Sequence, residues 1–428
     1  MKIAMFTNTY QPHVGGVAKS VKTLEDVCRQ RGHEVCVIAP EFESAEPSPH
    51  VVRVPAIQHF NGSDFSVQLP FQRVVTEFLE DFEPNLIHSH HPFLLGDSAL
   101  RFAWKSQVPL VFTHHTLYER YTHYVPLDSP ALKRMAVQLA TEYCNRCDQV
   151  IAPSQSILTL LRQRDVTAPI DVIPTGIDTA LFSGGEGARF RERHGIPPGT
   201  LVIGHVGRLA PEKNLRFLAE ATALLLKQDP GLHMVIVGSG PEREEVLTIL
   251  GKAGQPRRIH APGTLTGTSL ADAYAAMDSF VFASQSETQG LVIAEAMAAG
   301  NPVVALDAPG VREVVCDGRN GRLLPPGATA AEFAAALEEL LADPDRLRAC
   351  ALHAVTDAEA YSTGRCVQQV LDCYEELLAR PQFATKTDPT PWDRFLTGIT
   401  LEWEMFTEKT AALAAAVKET PATKSTLK

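Results

Sequence analysis

The stretch SFVFASQSETQGLVIAEAMAAGNPVVALD, residues 279–307, reads as strand, helix, strand. SFVFAS and NPVVALD are short apolar runs, and GLVIAEAMAAG between them is a helical segment with one charge. Two carboxylates mark it. Glu287 lies in the polar turn directly after the first run, and Glu295 follows in the helix with seven residues between them. A lone carboxylate among Leu291, Ile293, Ala294, Ala296 and Met297 is costly unless it is paired or reached by water. Such a group suits a polar ligand held outside the carboxyl ends of parallel strands. The competing reading places Glu295 on a solvated helix face.

Outward from this unit the same alternation recurs. KIAMFTN, a helix from Gly16 to Arg31, and HEVCVIAP open the chain. NLIHSH, PLVFTHH and DQVIAP follow, separated by helical patterns near 93–105 and 130–147. A second series contains TLVIGHVGR, HMVIVGSG, RRIHAPG, SFVFAS and NPVVALD. Strands alternating with helices predict α/β domains with parallel sheets buried on both faces. Residues 171–200, rich in Gly, Pro and Thr, read as a linker between two such domains. The expected boundaries are 1–178 and 179–380, then a helical segment at 381–416 carrying Trp392, Trp403 and Phe406, and a disordered tail at 417–428.

The chain of 428 residues has 39 Lys and Arg against 50 Asp and Glu, a net charge of −11 that excludes bulk electrostatic binding of nucleic acid. No apolar run reaches the ~20 residues that span a bilayer. MKIAMFTNTY is apolar over too short a stretch for a secretory signal, so a cytoplasmic location is expected. Eight scattered cysteines, Cys144 and Cys147 among them, read as structural thiols of a reducing compartment. Arg101, Lys105, Lys133 and Arg134 could face anionic lipid or belong to ordinary solvated helices.

Four motifs carry chemistry. Gly15 and Gly16 sit where the first strand gives way to a helix, a place where backbone can approach a phosphate. In GHVGRLAPEKN, Arg208 follows a strand and Lys213 stands at a helix start, so the two cations would converge on a dianion such as a diphosphate. VIVGSGPERE places Gly238 and Gly240 after a strand, but Arg243 occupies the third position of G-x-G-x-x-G. A dinucleotide cofactor is thereby disfavoured, and a nucleotide wall at Gly238 is left. His88, His90, His91, His114, His115 and His123 cluster in the first domain without the ligand spacing of a zinc site. One or two of them are expected to touch substrate and the rest to be structural. The D-x-D at 343–345 lies far from any strand end and reads as a chance match to a metal motif.

With these pieces in place, residues 1–380 resemble the retaining glycosyltransferases of family four. The resemblance rests on Gly15 and Gly16, VFTHHT, VIPTGID, GRLAPEKN, VIVGSGPE, SETQG and EAMAAGNPVVA. It implies a GT-B fold: two facing Rossmann-like domains, a central cleft, and a C-terminal helix crossing back to the first domain. It also implies that Glu287 contacts sugar hydroxyls and Glu295 the ribose. Gly16, Arg208 and Lys213 would contact the diphosphate. His115 would sit over the transferred sugar, and Thr288, Gln289, Gly290 and Leu291 would offer backbone amides.

Within the family, IHSHHPFLLG and THHTLYERYTHYVP are most similar to bacterial diacylglycerol glucosyltransferases. The implied reaction is metal-independent and cofactor-free, moving glucose from UDP-glucose to a lipid hydroxyl such as that of diacylglycerol. The implied partners are a nucleotide-diphosphate sugar, a lipid or glycan acceptor and an anionic membrane surface, with peripheral attachment to the inner face of the cell membrane. Three readings compete with it: a nucleotide-sugar epimerase or hydrolase, a GDP-mannose-dependent transferase acting on a non-lipid glycan, and a non-catalytic ligand-binding module.

Overall fold

The computed structural model describes residues 1–13, 15–42, 45–57, 67–68, 72–120, 129–253 and 256–384. His123, the expected helical segment from 385 to 416 and the tail at 417–428 lie outside them. The strands are β1 (Lys2–Phe6), β2 (Glu34–Pro40), β3 (Val51–Val54), β4 (Ala56–Ile57), β5 (Val67–Gln68), β6 (Leu86–Ser89), β7 (Leu110–Thr113), β8 (Gln149–Ala152) and β9 (Ile170–Val172). They continue as β10 (Val202–Val206), β11 (His233–Val237), β12 (Ile259–Gly263), β13 (Ser279–Phe282), β14 (Val303–Leu306) and β15 (Gly321–Leu324).

The chain forms two α/β units. The first comprises Met1–Pro153, Ile157–Ile173 and the described chain from Val367 on. Its seven-stranded sheet has the order β3-β2-β1-β6-β7-β8-β9 with every pairing parallel. Alternate residues supply two cores: Ala4, Phe6, Ile38, Ile87 and Phe112 on one face, Ile3, Met5, Val37, Leu86 and Val111 on the other. The second unit comprises Ser154–Ser156 and Pro174–Cys366. Its six-stranded parallel sheet has the order β12-β11-β10-β13-β14-β15. Val235, Val237, Phe280 and Phe282 line one core, and Met234, Ile236, Val281 and Val304 the other.

Both sheets therefore have a topological switch point, between β1 and β6 in the first unit and between β10 and β13 in the second. The crevice outside the strand carboxyl ends at such a point is where doubly wound sheets bind ligands.

Two expectations need correction. The second domain was expected to run to residue 380, yet helix Thr363–Leu378 contributes Val367, Val370, Leu371, Tyr374 and Leu377 to the core of the first unit. That spacing is one helical stripe, and it covers the face bearing Ile3, Met5 and Val111. Residues 171–200 are also more than a linker. They hold the end of β9 and two short helices, Thr179–Ser183 and Gly187–Arg193, and they bury Phe182, Phe190 and Ile196. Gly185 and Gly187 are there for contact with helix Gly267–Ala275. A Cβ on either would lie 2.3 Å from the Ala271 carbonyl or 2.2 Å from that of Ala275.

Candidate active site

In the second unit, the switch-point strands β10 and β13 deliver the two motifs singled out in the sequence. After β10 the backbone of residues 207–209 is tied to the segment after β11. Gly207 N–H donates to Val237 O at 3.0 Å, Leu209 N–H to Ser239 O at 2.9 Å, and Glu242 N–H to Leu209 O at 2.9 Å. This approach requires glycine at 238, where φ is 137° and a Cβ would sit 1.9 Å from Gly207 O. Gly238 thus has a packing duty that its motif did not reveal. Arg208 is exposed at the end of β10.

Lys213 closes a 3-10 turn, Pro211–Lys213, rather than opening a helix. Asn214, at φ 54°, separates it from helix Leu215–Gln228. The Lys213 ammonium lies 2.6 Å from Glu287 Oε1, and both side chains are about 15% exposed. The hydroxyls of Ser284 and Ser286 donate to the Glu212 carbonyl, lashing the loop after β13 to the Lys213 turn. Burial works to raise the Glu287 carboxyl, but the Lys213 ammonium, Ser284 and His205 together hold it below its ordinary range. Glu287 is therefore ionised at neutral pH.

His205 is a neighbour that the motifs missed. Its Nδ1–H donates to Val281 O at 3.1 Å, and burial pushes its pKa down to about 4. Among the described residues its Nε2 has no hydrogen-bond partner. Alternation along GHVGR was the one available signal.

Glu295 is 4% exposed on helix Leu291–Ala298, so the solvated-face reading fails. The Tyr274 hydroxyl donates to Glu295 Oε2 at 3.1 Å. Gln289 is likewise occupied: its side chain accepts from Thr175 N–H at 2.6 Å and donates to Thr175 O at 2.7 Å. Gly290, at φ 71°, caps the helix, and a Cβ there would meet Gly310 O at 2.8 Å. Thr288 is half-buried in the same loop, and Leu291 opens the helix whose N-terminal amides favour an anion.

In the first unit, the switch-point strands end in the glycine turn and the histidines. Gly16 begins helix Gly16–Gln30, whose first turn carries no acidic residue, and a Cβ on Gly16 would meet nothing within 4 Å. Just past β6, His90 Nδ1 lies 3.0 Å from Nε2 of His115, which follows β7. His88 is held by the Tyr374 hydroxyl at 2.6 Å and Thr113 Oγ1 at 2.7 Å. His91 Nδ1 accepts from Asn8 N–H at 3.1 Å. Burial drives His88 and His91 down to about 3 and His114 to about 4. His90 and His115 are driven well below the ordinary value, first by burial and then by one another and their neighbours. The group is neutral at pH 7, a set of hydrogen-bonding rings.

Elsewhere, Asp343 of the D-x-D is a helix cap, accepting from the backbone amides of Asp345 and Arg346. All eight cysteines are free thiols, and only Cys316 is exposed. Of the basic residues noted for lipid, Lys105 pairs with Glu80 at 2.9 Å. Among the described residues no helix is long and apolar enough to cross a membrane.

Comparison with known proteins places the chain among glycosyltransferases. Residues 14–181 match the model of Glycosyltransferase Family 4, and residues 187–354 match that of Glycosyl transferases group 1. The chain is 30% identical to an alpha-monoglucosyldiacylglycerol synthase of Streptococcus pneumoniae, over 81% of this chain and 79% of that one. It is 31% identical to a GDP-mannose-dependent alpha-mannosyltransferase of Mycolicibacterium smegmatis, over 89% of this chain and 98% of that one. HepE of Anabaena, solved in complex with UDP, has the same fold with a TM-score of 0.70 at 24% identity, covering 88% of this chain and 100% of that one. Two parallel-sheet Rossmann-like units and these likenesses lead to one assignment: the chain belongs to the family 4 glycosyltransferases and has the GT-B fold.

Proposed function

We propose that the protein transfers glucose from UDP-glucose to a lipid hydroxyl, diacylglycerol being the acceptor of choice, with retention of configuration and without a metal. The observation that carries this reading is the Lys213–Glu287 pair at the switch point of the second unit. The ammonium holds Glu287 ionised, and the carboxylate's remaining lone pairs accept from sugar hydroxyls. As the bond from the anomeric carbon to the diphosphate oxygen breaks, negative charge grows on the leaving group. Lys213, Arg208 and the amides of Gly16 and the Thr288–Leu291 loop answer that charge. A single such donor in a closed site is worth about 3 kcal/mol. The acceptor oxygen bonds to the anomeric carbon on the face the diphosphate leaves, and its proton passes to a diphosphate oxygen. Glu295 takes the ribose hydroxyls and His115 a hydroxyl of the transferred sugar.

The glucosyl-lipid choice is supported by two relatives named alpha-monoglucosyldiacylglycerol synthase, at 30% and 29% identity. A lipid acceptor goes with peripheral attachment at the inner face of the cell membrane. A second reading, mannosyl transfer from GDP-mannose to a glycan, is favoured by the mannosyltransferase relative, 98% of which aligns with this chain.

Screening UDP-glucose, UDP-galactose and GDP-mannose against diacylglycerol vesicles and soluble glycans separates the two. Glucolipid formed from UDP-glucose is the expected product. Transfer from GDP-mannose alone would sink the first reading, and donor consumption without any acceptor would establish the epimerase or hydrolase class.

A further inference from the structure

We propose that His90 is a positioning residue for His115: it donates its Nδ1–H to His115 Nε2 and thereby holds His115 in the Nδ1–H tautomer. This deepens the reading in which His115 serves a sugar hydroxyl, and rests on it for its catalytic consequence.

The contact has hydrogen-bond geometry. The two nitrogens are 3.0 Å apart, the ring planes lie within 24° of each other, and the centroids are 5.2 Å apart. Two nearly coplanar imidazoles with that separation meet edge to edge, so an N–H of one points along a lone pair of the other. The direction of donation follows from the far side of His90. Its Nε2 is buried and has no hydrogen-bond partner among the described residues. A buried N–H without an acceptor costs more than a bare lone pair without a donor, and orphaned N–H groups are the rarer of the two. The His90 proton therefore belongs on Nδ1. His115 Nε2 then accepts, and the proton of His115 sits on its own Nδ1.

His90 is built to hold this position. Its backbone N–H continues the sheet, donating to Phe6 O at 2.9 Å. Its ring lies against His88 with centroids 4.1 Å apart, and His88 is pinned at both nitrogens by Tyr374 and Thr113. A ring locked on one face and bonded at one edge selects the tautomer of its partner, as an outer-shell acceptor or donor does for a functional histidine. The result is that the His115 ring carries its proton on Nδ1 and not on Nε2.

The test uses the full chain with histidine 15N-labelled, and His115 assigned by the signal lost in His115→Ala. Wild type should show His115 protonated at Nδ1. His90→Asn places an amide N–H near the Nδ1 position and should keep that tautomer. His90→Gln moves the amide to the Nε2 position and His90→Phe removes the donor, and both should move the proton to Nε2. In the transfer assay kcat should fall about 10- to 100-fold for Gln and Phe, with donor KM changed less than about 2-fold, and Asn should recover most of the rate.

Finding His115 protonated at Nε2 in wild type, or an unchanged tautomer in both His90→Gln and His90→Phe, overturns the inference. The Asn–Gln comparison decides even where Phe disrupts folding. If His115→Ala transfers at the wild-type rate, the role of His115 falls while the tautomer shift still decides the link. If His115→Ala is inactive but His90→Gln is unimpaired, the link falls and the site stands.

Discussion

The Lys213 ammonium and the Glu287 carboxylate meet at 2.6 Å although 74 residues separate them in the chain. Lys213 comes from the turn after β10 and Glu287 from the turn after β13, the neighbouring strands that diverge at the switch point. Removing one partner leaves the other charge largely buried, so the two should not behave as independent residues. Lys213→Ala and Glu287→Ala are each expected to lower transfer by about 100-fold or more, and the double variant to lose little beyond either single one. Steady-state kinetics of the three variants checks this, and additive losses would argue against a shared role.

The same pair sets a pH dependence. Lys213 holds the Glu287 carboxyl below its ordinary 4.5, so the stability it contributes is complete above that value and is lost as pH falls through the depressed one. Lys213→Met should raise the Glu287 pKa and move the acid limb of the rate profile upward. An acid limb at the wild-type position would separate Glu287 from that limb.

Buried neutral histidines supply a second and larger acid response. His205, His114 and His260 are pushed to about 4, and His88 and His91 to about 3, chiefly by burial. Unfolded, each takes a proton near 6.5. Their contribution to stability is therefore complete above that value and is lost as pH falls toward their folded values. Each group adds a slope of up to about 1.4 kcal/mol per pH unit in that window. Melting curves from pH 7.5 to 4.5 should show a steep fall in Tm. His260→Phe, which also removes the bond at 3.0 Å to His233, should flatten it.

Gly238 is expected to report on folding before it reports on donor binding. At φ 137°, with a Cβ placed 1.9 Å from Gly207 O, Gly238→Ala must push apart the segments after β10 and β11. A loss of about 1–3 kcal/mol in urea unfolding is expected. Normal stability with a raised donor KM would instead indicate a residue that only lines the nucleotide.

Tyr274 should matter to the nucleotide through Glu295. Tyr274→Phe removes the hydroxyl that donates to Glu295 Oε2 at 3.1 Å and leaves a buried carboxylate short of a donor. A stability loss of about 1–3 kcal/mol is expected, with weaker binding of the free nucleoside diphosphate. Calorimetric titration of the variant showing unchanged nucleotide affinity would detach Glu295 from the ribose.

Much of this protein was legible without coordinates because its signals are local. Apolar runs alternating with helical patterns specify parallel α/β units, and a polar residue just after such a run lies at a strand's carboxyl end whatever the rest of the chain does. Glu287 and Arg208 were singled out by that rule, Gly16 by the glycine turn before the first helix and His115 by the family resemblance; of the two glutamates, Glu287 lies in a loop and Glu295 one helical turn into the helix that follows.

What the sequence by itself determined, then, is the kind of elements, their order and which residues stand at strand ends. Tertiary structure alone decided the partners. Lys213 pairs with Glu287, Tyr274 donates to Glu295, and the Gln289 side chain bonds the Thr175 backbone. It also decided membership: the stripe on helix Thr363–Leu378 would suit either sheet, and only packing assigns it to the first. Gly185 and Gly187 read as breakers in sequence because a missing Cβ looks the same whether it frees a turn or admits a neighbouring backbone. Periodicity along a chain encodes a face, but not which surface that face will meet, and that choice is made by contacts between residues far apart in sequence.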